Sequence, residues 1–330
     1  MALTSPVIML RTPFCELFGI EAPVLQAPIW PATSPELVAA VSEAGGFGSL
    51  GAVNTSGDDL RARIERVREL TDRPFAVNHV VPRLDEGAFE VTLEAGPAAV
   101  SFALGDPGDL VGRAHATGAK VFHQVHTVAQ ARDAAEHGVD VVIAQGSEAG
   151  GQGMAQGVGA LALVPQVVDA VAPIPVLVAG GVADGRGLAA ALALGAAGAN
   201  VGTRFLASEE AGASEAWKQR ILEIESDETV RFQTWSEILP AAGGYGVVPR
   251  VIRTEFVTRW EGQPDEAREQ AKQLGAEIMA SVREGRQHEI TPFTGQTAGL
   301  IRELLPAAEI VRRLVNEAEE ALAAAAALRV

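Results

Sequence analysis

The sequence predicts an α/β protein whose main body is a (β/α)₈ TIM barrel with an inserted helical subdomain towards the C-terminal end. Short apolar runs alternate with helix-compatible segments, at a spacing of about two dozen residues, which is near the minimum for one β-α unit. Eight such units in a row favour a closed barrel over an open sheet. Several runs are apolar almost without interruption, as in strands buried on both faces of a parallel sheet. Beyond Phe205 the pattern changes to more charged, helical segments.

Eight apolar runs are predicted to form the barrel strands. Pro23, Pro74 and Pro175 stand at the starts of three of them, where a missing N–H does little harm. In chain order the predicted strands are Val24–Ala27, Gly48–Leu50, Phe75–Val80, Ala98–Phe102, Lys120–Val125, Val139–Ala144, Pro175–Ala179 and Ala199–Val201.

The chain divides into two predicted domains. Residues 1–207 and a returning segment, 295–330, would form the barrel, and residues 208–294 would form the helical subdomain. A glycine-rich break at Ala241–Gly246 interrupts the insertion. The tail from Pro306 is amphipathic and then alanine-rich. We expect it to pack on the barrel, because an isolated helix of that length is marginal in water.

Composition excludes several classes of partner. The 330-residue chain carries a formal net charge of −16, which disfavours nucleic acid and anionic membranes. Its one cysteine, Cys15, excludes an intrachain disulfide and fits a reducing compartment. The N-terminus lacks a basic region followed by a long apolar run, so we expect no signal peptide. The most apolar stretch, Leu161 to Ala183, is interrupted by proline and glycine. We therefore expect a cytoplasmic protein, with no membrane span, that acts on a small molecule.

The segment Gly46–Gly51 matches the dinucleotide fingerprint G-x-G-x-x-G but has the wrong context. The fingerprint needs a strand before it and a helix after it, whereas here a helix precedes it and a strand lies within it. A helix C-cap followed by tight helix–strand packing explains these glycines better.

Glycines at the ends of the seventh and eighth predicted strands indicate a phosphate site. Gly180 and Gly181 follow the seventh strand, and Gly202 and Thr203 follow the eighth. Those two loops form the usual phosphate site of such barrels, where backbone N–H groups approach an anion beside a helix N-terminus. Either motif alone fits ordinary turn chemistry, but both at the correct strands favour phosphate binding.

A long glycine-rich connection begins with Gln145 to Gly153, directly after the sixth strand. Loops at the C-terminal face are where barrel enzymes hold their reactive groups. The alternative is a flexible loop without a role in catalysis.

Together these segments resemble the nitronate monooxygenase family, formerly called 2-nitropropane dioxygenases, from about Pro23 to Leu314. The flavin-type enoyl-acyl carrier protein reductases and related NAD(P)H:quinone reductases share the same segments, so the resemblance separates these members poorly. The segments that carry it are Gln26–Ile29, Leu37–Gly51, Gln145–Gly153, Ala179–Gly181, Gly185–Gly187, Gly202–Phe205 and Gly295–Gly299.

The resemblance implies FMN as the cofactor and suggests a homodimer. Residues at the matching positions of the family line the flavin ring, hydrogen-bond it or hold the ribityl phosphate. Asn200 stands where the family usually has glutamine, a change that keeps the amide. The cofactor-binding residues expected on this basis are Ala27, Pro28, Ile29, Asn78, Gln145, Gly146, Gly150, Gly180, Gly181, Asn200, Gly202, Thr203 and Gln296.

One departure from the family concerns catalysis. Gln152 stands where the family's Glu-Ala-Gly-Gly-His segment has its catalytic histidine. A neutral amide cannot take a proton near neutral pH, whereas an imidazole can. The base that would remove an α-proton from a neutral nitroalkane is therefore missing at this position. Gln152 could still donate a hydrogen bond to an anionic oxygen.

Another residue could replace the missing base. His126, just past the fifth predicted strand, is the first candidate, although a core or surface histidine is the default for such a residue. His79 and His123 are weaker candidates, and Thr297 and Tyr245 could also face the pocket.

The leading hypothesis is FMN-dependent oxidation of an alkyl nitronate or similar anionic substrate by O₂. A nitronate is already deprotonated, so this reaction does not need the missing base. The first alternative is an NAD(P)H-dependent reductase of a quinone or an enoyl thioester. An alternative of another class is a flavin-binding homologue that lacks the parental activity.

Overall fold

The computed structural model describes residues 10–240 and 247–328. Every predicted barrel strand is present, and the ends of the strands move by at most two residues. In chain order the strands are β1 Val24–Gln26, β2 Gly48–Gly51, β3 Phe75–Val80, β4 Ala99–Ala103, β5 Lys120–Val125, β6 Val141–Gln145, β7 Gly151–Met154, β8 Val176–Ala179, β9 Gly198–Val201, β10 Thr229–Arg231 and β11 Val247–Ile252.

The larger sheet is a parallel barrel. Among the described residues it contains eight strands in the order β1-β9-β8-β6-β5-β4-β3-β2. It closes between β1 and β2, where Leu25 pairs with Phe47. There the N–H of Phe47 donates to the carbonyl of Val24 at 2.9 Å, and the N–H of Gln26 donates to the carbonyl of Phe47 at 2.8 Å. The predicted (β/α)₈ fold class is thereby confirmed.

Helices surround the barrel, and side-chain caps explain where several of them begin. Ser34, Ser56, Asp85, Thr127 and Asp184 each accept a hydrogen bond from an N–H in the first turn of the helix that follows. Short 3₁₀ segments lie at Val81–Arg83, Ser226–Glu228, Gln287–Glu289 and Gln296–Leu300. In chain order the helices are α1 Pro13–Phe18, α2 Pro35–Glu43, α3 Gly57–Leu70, α4 Glu86–Ala95, α5 Leu110–His115, α6 Val128–Glu136, α7 Ala160–Val171, α8 Gly185–Ala193, α9 Thr203–Leu206, α10 Glu215–Glu223, α11 Trp235–Ile238, α12 Glu255–Trp260, α13 Pro264–Glu269, α14 Ala271–Arg283 and α15 Ala307–Ala326.

The N-terminal end of the barrel is closed by α1. Phe14 and Phe18 of this helix pack against Phe47 and Phe122 of the barrel wall, with ring centroids 4.6–6.1 Å apart. These aromatic pairs are edge-on or tilted, the arrangements that aromatic quadrupoles favour. With this end plugged, the carboxyl ends of the strands are where the barrel can hold a ligand.

The inserted segment is less purely helical than the sequence predicts. β10 pairs antiparallel with β11, and β11 also pairs antiparallel with β7, which lies in the loop after β6. β7 reads Gly-Gln-Gly-Met, a run without the alternation that marks a strand, so local sequence gives no signal for it. The small sheet joins the long loop after the sixth barrel strand to the insertion. The division of the chain into two domains stays a prediction.

The C-terminal tail packs on the barrel, as predicted. α15 contacts α8 and α2, and a side chain on Gly185 would place its Cβ 2.2 Å from the backbone nitrogen of Ala318. This close approach explains the glycine at the start of α8. In the part of the chain that the structure describes, no helix combines the length and apolar character needed to cross a membrane.

Candidate active site

A pocket opens at the carboxyl ends of the barrel strands, between the strand loops and the inserted segment. It brings together most of the residues that the sequence singled out, and Thr297 lines it as well. The pocket was therefore largely predictable at the barrel side. The predicted site residues that line it are Ala27, Pro28, Ile29, Asn78, Gln145, Gly150, Gln152, Gly180, Asn200, Gly202 and Thr203.

The loops after β8 and β9 form a cradle of backbone and small polar groups. Gly180 has a φ of +94°, and a Cβ there would lie 2.9 Å from the Cβ of Ala149. Asn200 is buried at the pocket wall, and its Oδ1 atom has no hydrogen-bond partner among the described residues. Beside it, the Thr203 hydroxyl accepts a hydrogen bond from the N–H of Gly295 at 2.9 Å. The φ of Gly180 and the nearness of Ala149 require glycine there with or without a ligand. The unpartnered buried oxygen of Asn200 fits a polar ligand that the described residues do not supply.

Three predicted cofactor residues do not line the pocket. A Cβ on Gly146 would lie 2.4 Å from Oε2 of Glu148, so this glycine permits the tight turn after β6. Gly181 is an exposed turn residue with a φ of +78°, which explains its glycine without a ligand. Gln296 donates its N–H to the carbonyl of Glu148 at 3.0 Å and so ties the returning segment to the loop after β6.

Gln152 lies on β7 and is held at the pocket by its backbone. It pairs with Pro249 of β11, and its carbonyl accepts a hydrogen bond from Nε2 of Gln145 at 3.0 Å. Gln145 and Gln152 both line the pocket. Because the backbone is fixed on both sides, the Gln152 side chain can change without moving the strand that carries it.

The candidate base His126 does not line the pocket. It is 5% exposed, and its Nε2 atom has no hydrogen-bond partner among the described residues. Burial, with the charge of Arg231 as a smaller cause, lowers the pKa of His126 to about 4. His79, bonded to Thr92 at 2.9 Å, and His123, bonded to the carbonyl of Gly105 at 2.9 Å, are buried too and lie outside the lining.

The ionisable side chains that line the pocket, within the described residues, are Arg83 and Glu148. Both oxygens of the Glu148 carboxylate accept the N–H of Ala160, at 3.1 and 3.2 Å, at the first residue of α7. The described lining contains no imidazole, whereas the family resemblance would place one at residue 152. Tyr245 lies outside the described residues.

His126 gives a testable pH dependence of stability. Its pKa is about 4 in the folded protein, below the unperturbed value of about 6.5, so the unfolded chain binds the proton first. Stability that depends on the neutral ring is present above about pH 6.5 and is lost as the pH falls towards about 4. In the His126→Asn variant, we expect the fall in unfolding free energy across that window to be shallower by about 1.4 kcal/mol per pH unit.

Urea unfolding of both proteins at a series of pH values measures this slope. His79→Asn is measured beside it. Burial also lowers the pKa of His79 to about 4, so this variant should show a similar change in the slope. Equal slopes in parent and His126→Asn would mean that folding does not lower the pKa of His126.

The upper wall of the pocket was not predicted. It is largely apolar and combines residues of the loop after β1, the end of β3 and the loop after β4 with residues of α11, α14 and the end of the inserted segment. No local motif marks these positions, because they are ordinary apolar residues of helices and loops that meet only in the folded chain. They are Trp30, Val80, Leu104, Trp235, Leu239, Ile278, Met279 and Phe293, with the exposed Arg83 beside them.

A family model and a full-length relative indicate the same family for this chain. The model of the nitronate monooxygenase family matches residues 11–90 and 84–317. A probable nitronate monooxygenase of Staphylococcus saprophyticus is 31% identical over an alignment of 360 residues. The alignment covers 94% of this chain and 98% of that protein.

Two further similarities point to other members of the superfamily. An octahydro-indene-carboxyl-CoA dehydrogenase of Mycobacterium tuberculosis is 40% identical over 255 residues, 76% of this chain and 69% of that protein. Among solved structures, FabK from Thermotoga maritima superposes with a TM-score of 0.87 at 35% identity. That match covers 96% of this chain and 99% of FabK. The proteins similar to this chain therefore carry different names: a probable nitronate monooxygenase, a carboxyl-CoA dehydrogenase and FabK.

Proposed function

The chain belongs to the nitronate monooxygenase family of oxidoreductases, and on this premise we propose that it oxidises an alkyl nitronate, or a similar anionic substrate, with FMN and O₂. When bound, FMN would supply the acceptor through which electrons pass from the substrate to O₂. A homodimer and a cytoplasmic location, expected from the sequence, stay predictions.

The fit of the pocket to FMN supports the cofactor. The Thr203 hydroxyl lies at the same wall as Gly180 and Gly202 and could donate a hydrogen bond to a phosphate in this cradle. Oδ1 of Asn200, which has no partner among the described residues, could accept one from a donor group of the cofactor. Such a cradle lets backbone N–H groups approach a phosphate, and it sits after the strands that usually hold one in this fold. Asn78 and the backbone of Ala27 to Ile29 would hold the ring system, as the family resemblance implies.

We expect the purified protein to be yellow and to release FMN, not FAD, on denaturation. The reason is that the pocket offers one cradle for a phosphate, after β8 and β9, whereas FAD would need a second phosphate and an adenosine to be bound. Chromatography of the released flavin against both standards identifies it. A colourless protein that does not take up added FMN would contradict the proposal.

One observation carries the choice of an anionic substrate: the described lining contains no histidine, and its one carboxylate is bonded to a helix N-terminus. A substrate that had to lose a proton in the pocket would find no imidazole in the described lining to accept it. A nitronate has already lost it. The amide of Gln152 could donate a hydrogen bond to a nitronate oxygen, which would orient the anion without taking part in proton transfer.

Steady-state assays test this function. With preformed ethyl nitronate, the protein should consume O₂ and release nitrite, whereas neutral nitroethane should give little of either. The FMN-loaded protein and free FMN at the same concentration are compared, so that uncatalysed oxidation is subtracted. Oxygen uptake no faster than with free FMN would rule out nitronate oxidation by this protein.

A second candidate is oxidoreduction of an acyl thioester, and the apolar upper wall favours it. Trp235, Ile278, Met279 and Phe293 offer more apolar surface than a small nitronate needs, and the exposed Arg83 stands at the same pocket. The M. tuberculosis relative is named a carboxyl-CoA dehydrogenase. Rapid anaerobic bleaching of the bound flavin by NADH or NADPH would favour a reductase of this kind. A flavin that responds to neither nitronate nor pyridine nucleotide would favour a homologue without the parental activity.

A further inference from the structure

Two arginines occupy an unusual place behind the pocket. Arg231 on β10 and Arg250 on β11 are direct cross-strand partners, an arrangement in which like charges destabilise a sheet. Arg250 is buried, with 9% of its surface exposed. The chain segments outside the described residues contain no aspartate or glutamate that could pair with them.

Both guanidinium groups bond to uncharged oxygen atoms. Nη2 of Arg231 and Nε and Nη2 of Arg250 all donate to the carbonyl of Ser147, at 3.0, 3.2 and 3.1 Å. The remaining bonds go to the carbonyl of Val248 and to Thr229, and Nε of Arg231 has no partner among the described residues. Neutral donors could anchor the Ser147 carbonyl without the cost of burying two like charges.

The charge of Arg231 lies one layer of atoms behind the pocket wall. A Cβ on Gly153 would lie 2.9 Å from both Nη atoms of Arg231 and 3.2 Å from Nε2 of Gln145. Gln145 and Gln152, the neighbour of Gly153, line the pocket. The only carboxylate of the described lining, Glu148, is bonded to the first N–H of α7. Two cations, Arg231 and Arg250, therefore lie near Gln152, and Glu148 is the carboxylate that interacts with both. The net charge of these three groups is positive in a protein of net charge −16.

The neighbouring histidine responds to the same charge. The positive charge of Arg231 adds to burial in lowering the pKa of His126. Burial and the charge of Arg250 lower the pKa of Arg231 itself to about 10, so that the side chain remains a cation at neutral pH. A field that disfavours a proton on His126 also favours an anion in the adjacent pocket.

We propose that Arg231, supported by Arg250, makes the pocket select the anionic form of its ligand, with Arg231 acting through space as a specificity-determining residue. The Ser147 bonds hold the two side chains in place, and the positive field around Gln152 stabilises a negative charge on the bound molecule. This inference rests on the proposed function for one point, namely that the substrate is an anion. It adds the residue that would discriminate the ionised from the neutral form.

Calorimetric binding of benzoate and benzamide tests the proposal, because these two ligands have nearly the same shape and differ in charge. The parent should bind benzoate tighter than benzamide by roughly tenfold or more, as expected for a nearby charge at an effective dielectric constant of about 20. Arg231→Met should lose that preference while its affinity for benzamide stays within about twofold. Arg250 keeps two bonds to Ser147 in this variant, so the loop retains its anchor.

Two further variants separate charge from structure. Arg231→Lys keeps the positive charge and should keep the preference, and Arg132→Met removes an exposed charge on α6, outside the pocket lining, and should leave it unchanged. Equal weakening of both ligands in Arg231→Met, or a preference for benzoate that survives in that variant, would overturn the proposal. Because binding is measured without turnover, a protein that prefers benzoate but does not oxidise nitronates would contradict the proposed function and not this inference.

Discussion

Replacing Gln152 with histidine is expected to raise turnover of neutral nitroalkanes by about a hundredfold. A positioned general base contributes roughly 10²–10⁴-fold, and we expect the lower end because a new imidazole lacks partners that would orient it. The backbone of residue 152 is held by Pro249 on one side and by Gln145 on the other, so the substitution should leave β7 in place. The new activity should rise as the pH passes the imidazole pKa, about 6.5 when unperturbed.

The comparison uses one nitroalkane in its neutral and its pre-ionised form, with parent, Gln152→His and Gln152→Asn. Oxidation of the pre-ionised form should change little in Gln152→His, because no proton is removed from it. Gln152→Asn controls for altered shape and should gain nothing with the neutral form. Efficient turnover of the neutral form by the parent would show that another base already serves, contrary to the account of the lining.

Replacing Gly202 with leucine is expected to weaken FMN binding by about a hundredfold or more. Overfilling a packed site costs roughly 3 kcal/mol, and a loss of binding free energy of that size corresponds to this change in affinity. Gly202 has a φ of −104°, which other residues adopt without strain. A Cβ there would be 3.4 Å from Cδ1 of Ile29 and 3.7 Å from the Cβ of Ala27, which is ordinary contact. The protein can therefore accept a side chain, and a longer one would extend into the cradle. Gly180 and Gly181 are poorer probes, because their positive φ values strain any replacement.

Equilibrium titration of the apoprotein with FMN gives the affinity, and thermal unfolding without FMN reports the fold. Gly202→Ala should have an intermediate affinity. Gly112→Leu is the matched control, because Gly112 lies on α5 with open space around its Cβ position. Parental FMN affinity in Gly202→Leu would mean that the phosphate does not sit in this cradle.

The barrel was predictable because its signals are local. Runs such as Phe75–Val80 and Lys120–Val125 are bounded by turn residues and match the observed strands at both ends. The loops after β8 and β9 were predictable for the same reason, since Gly180 and Gly202 each directly follow an apolar run. Both line the pocket.

The remaining features depend on contacts that local sequence does not record. β7 becomes a strand only because β11, almost a hundred residues later, lies beside it. The upper wall is made by residues such as Trp235 and Met279, whose spacing fits any packed helix. His126 directly follows β5, but it is 5% exposed and is not part of the described lining, a position that local sequence does not record.

Anaerobic reduction of the bound flavin shows which substrate delivers electrons to it. Four compounds are compared at equal concentration: ethyl nitronate, nitroethane, NADH and NADPH. Stopped-flow absorbance follows the loss of the oxidised flavin spectrum without any contribution from O₂. If the protein oxidises pre-ionised nitro compounds, the nitronate should bleach the bound flavin rapidly. Nitroethane and both pyridine nucleotides should bleach it slowly, if at all. Rapid bleaching by NADH or NADPH, with no response to the nitronate, would contradict this account and assign the pocket to a reductase.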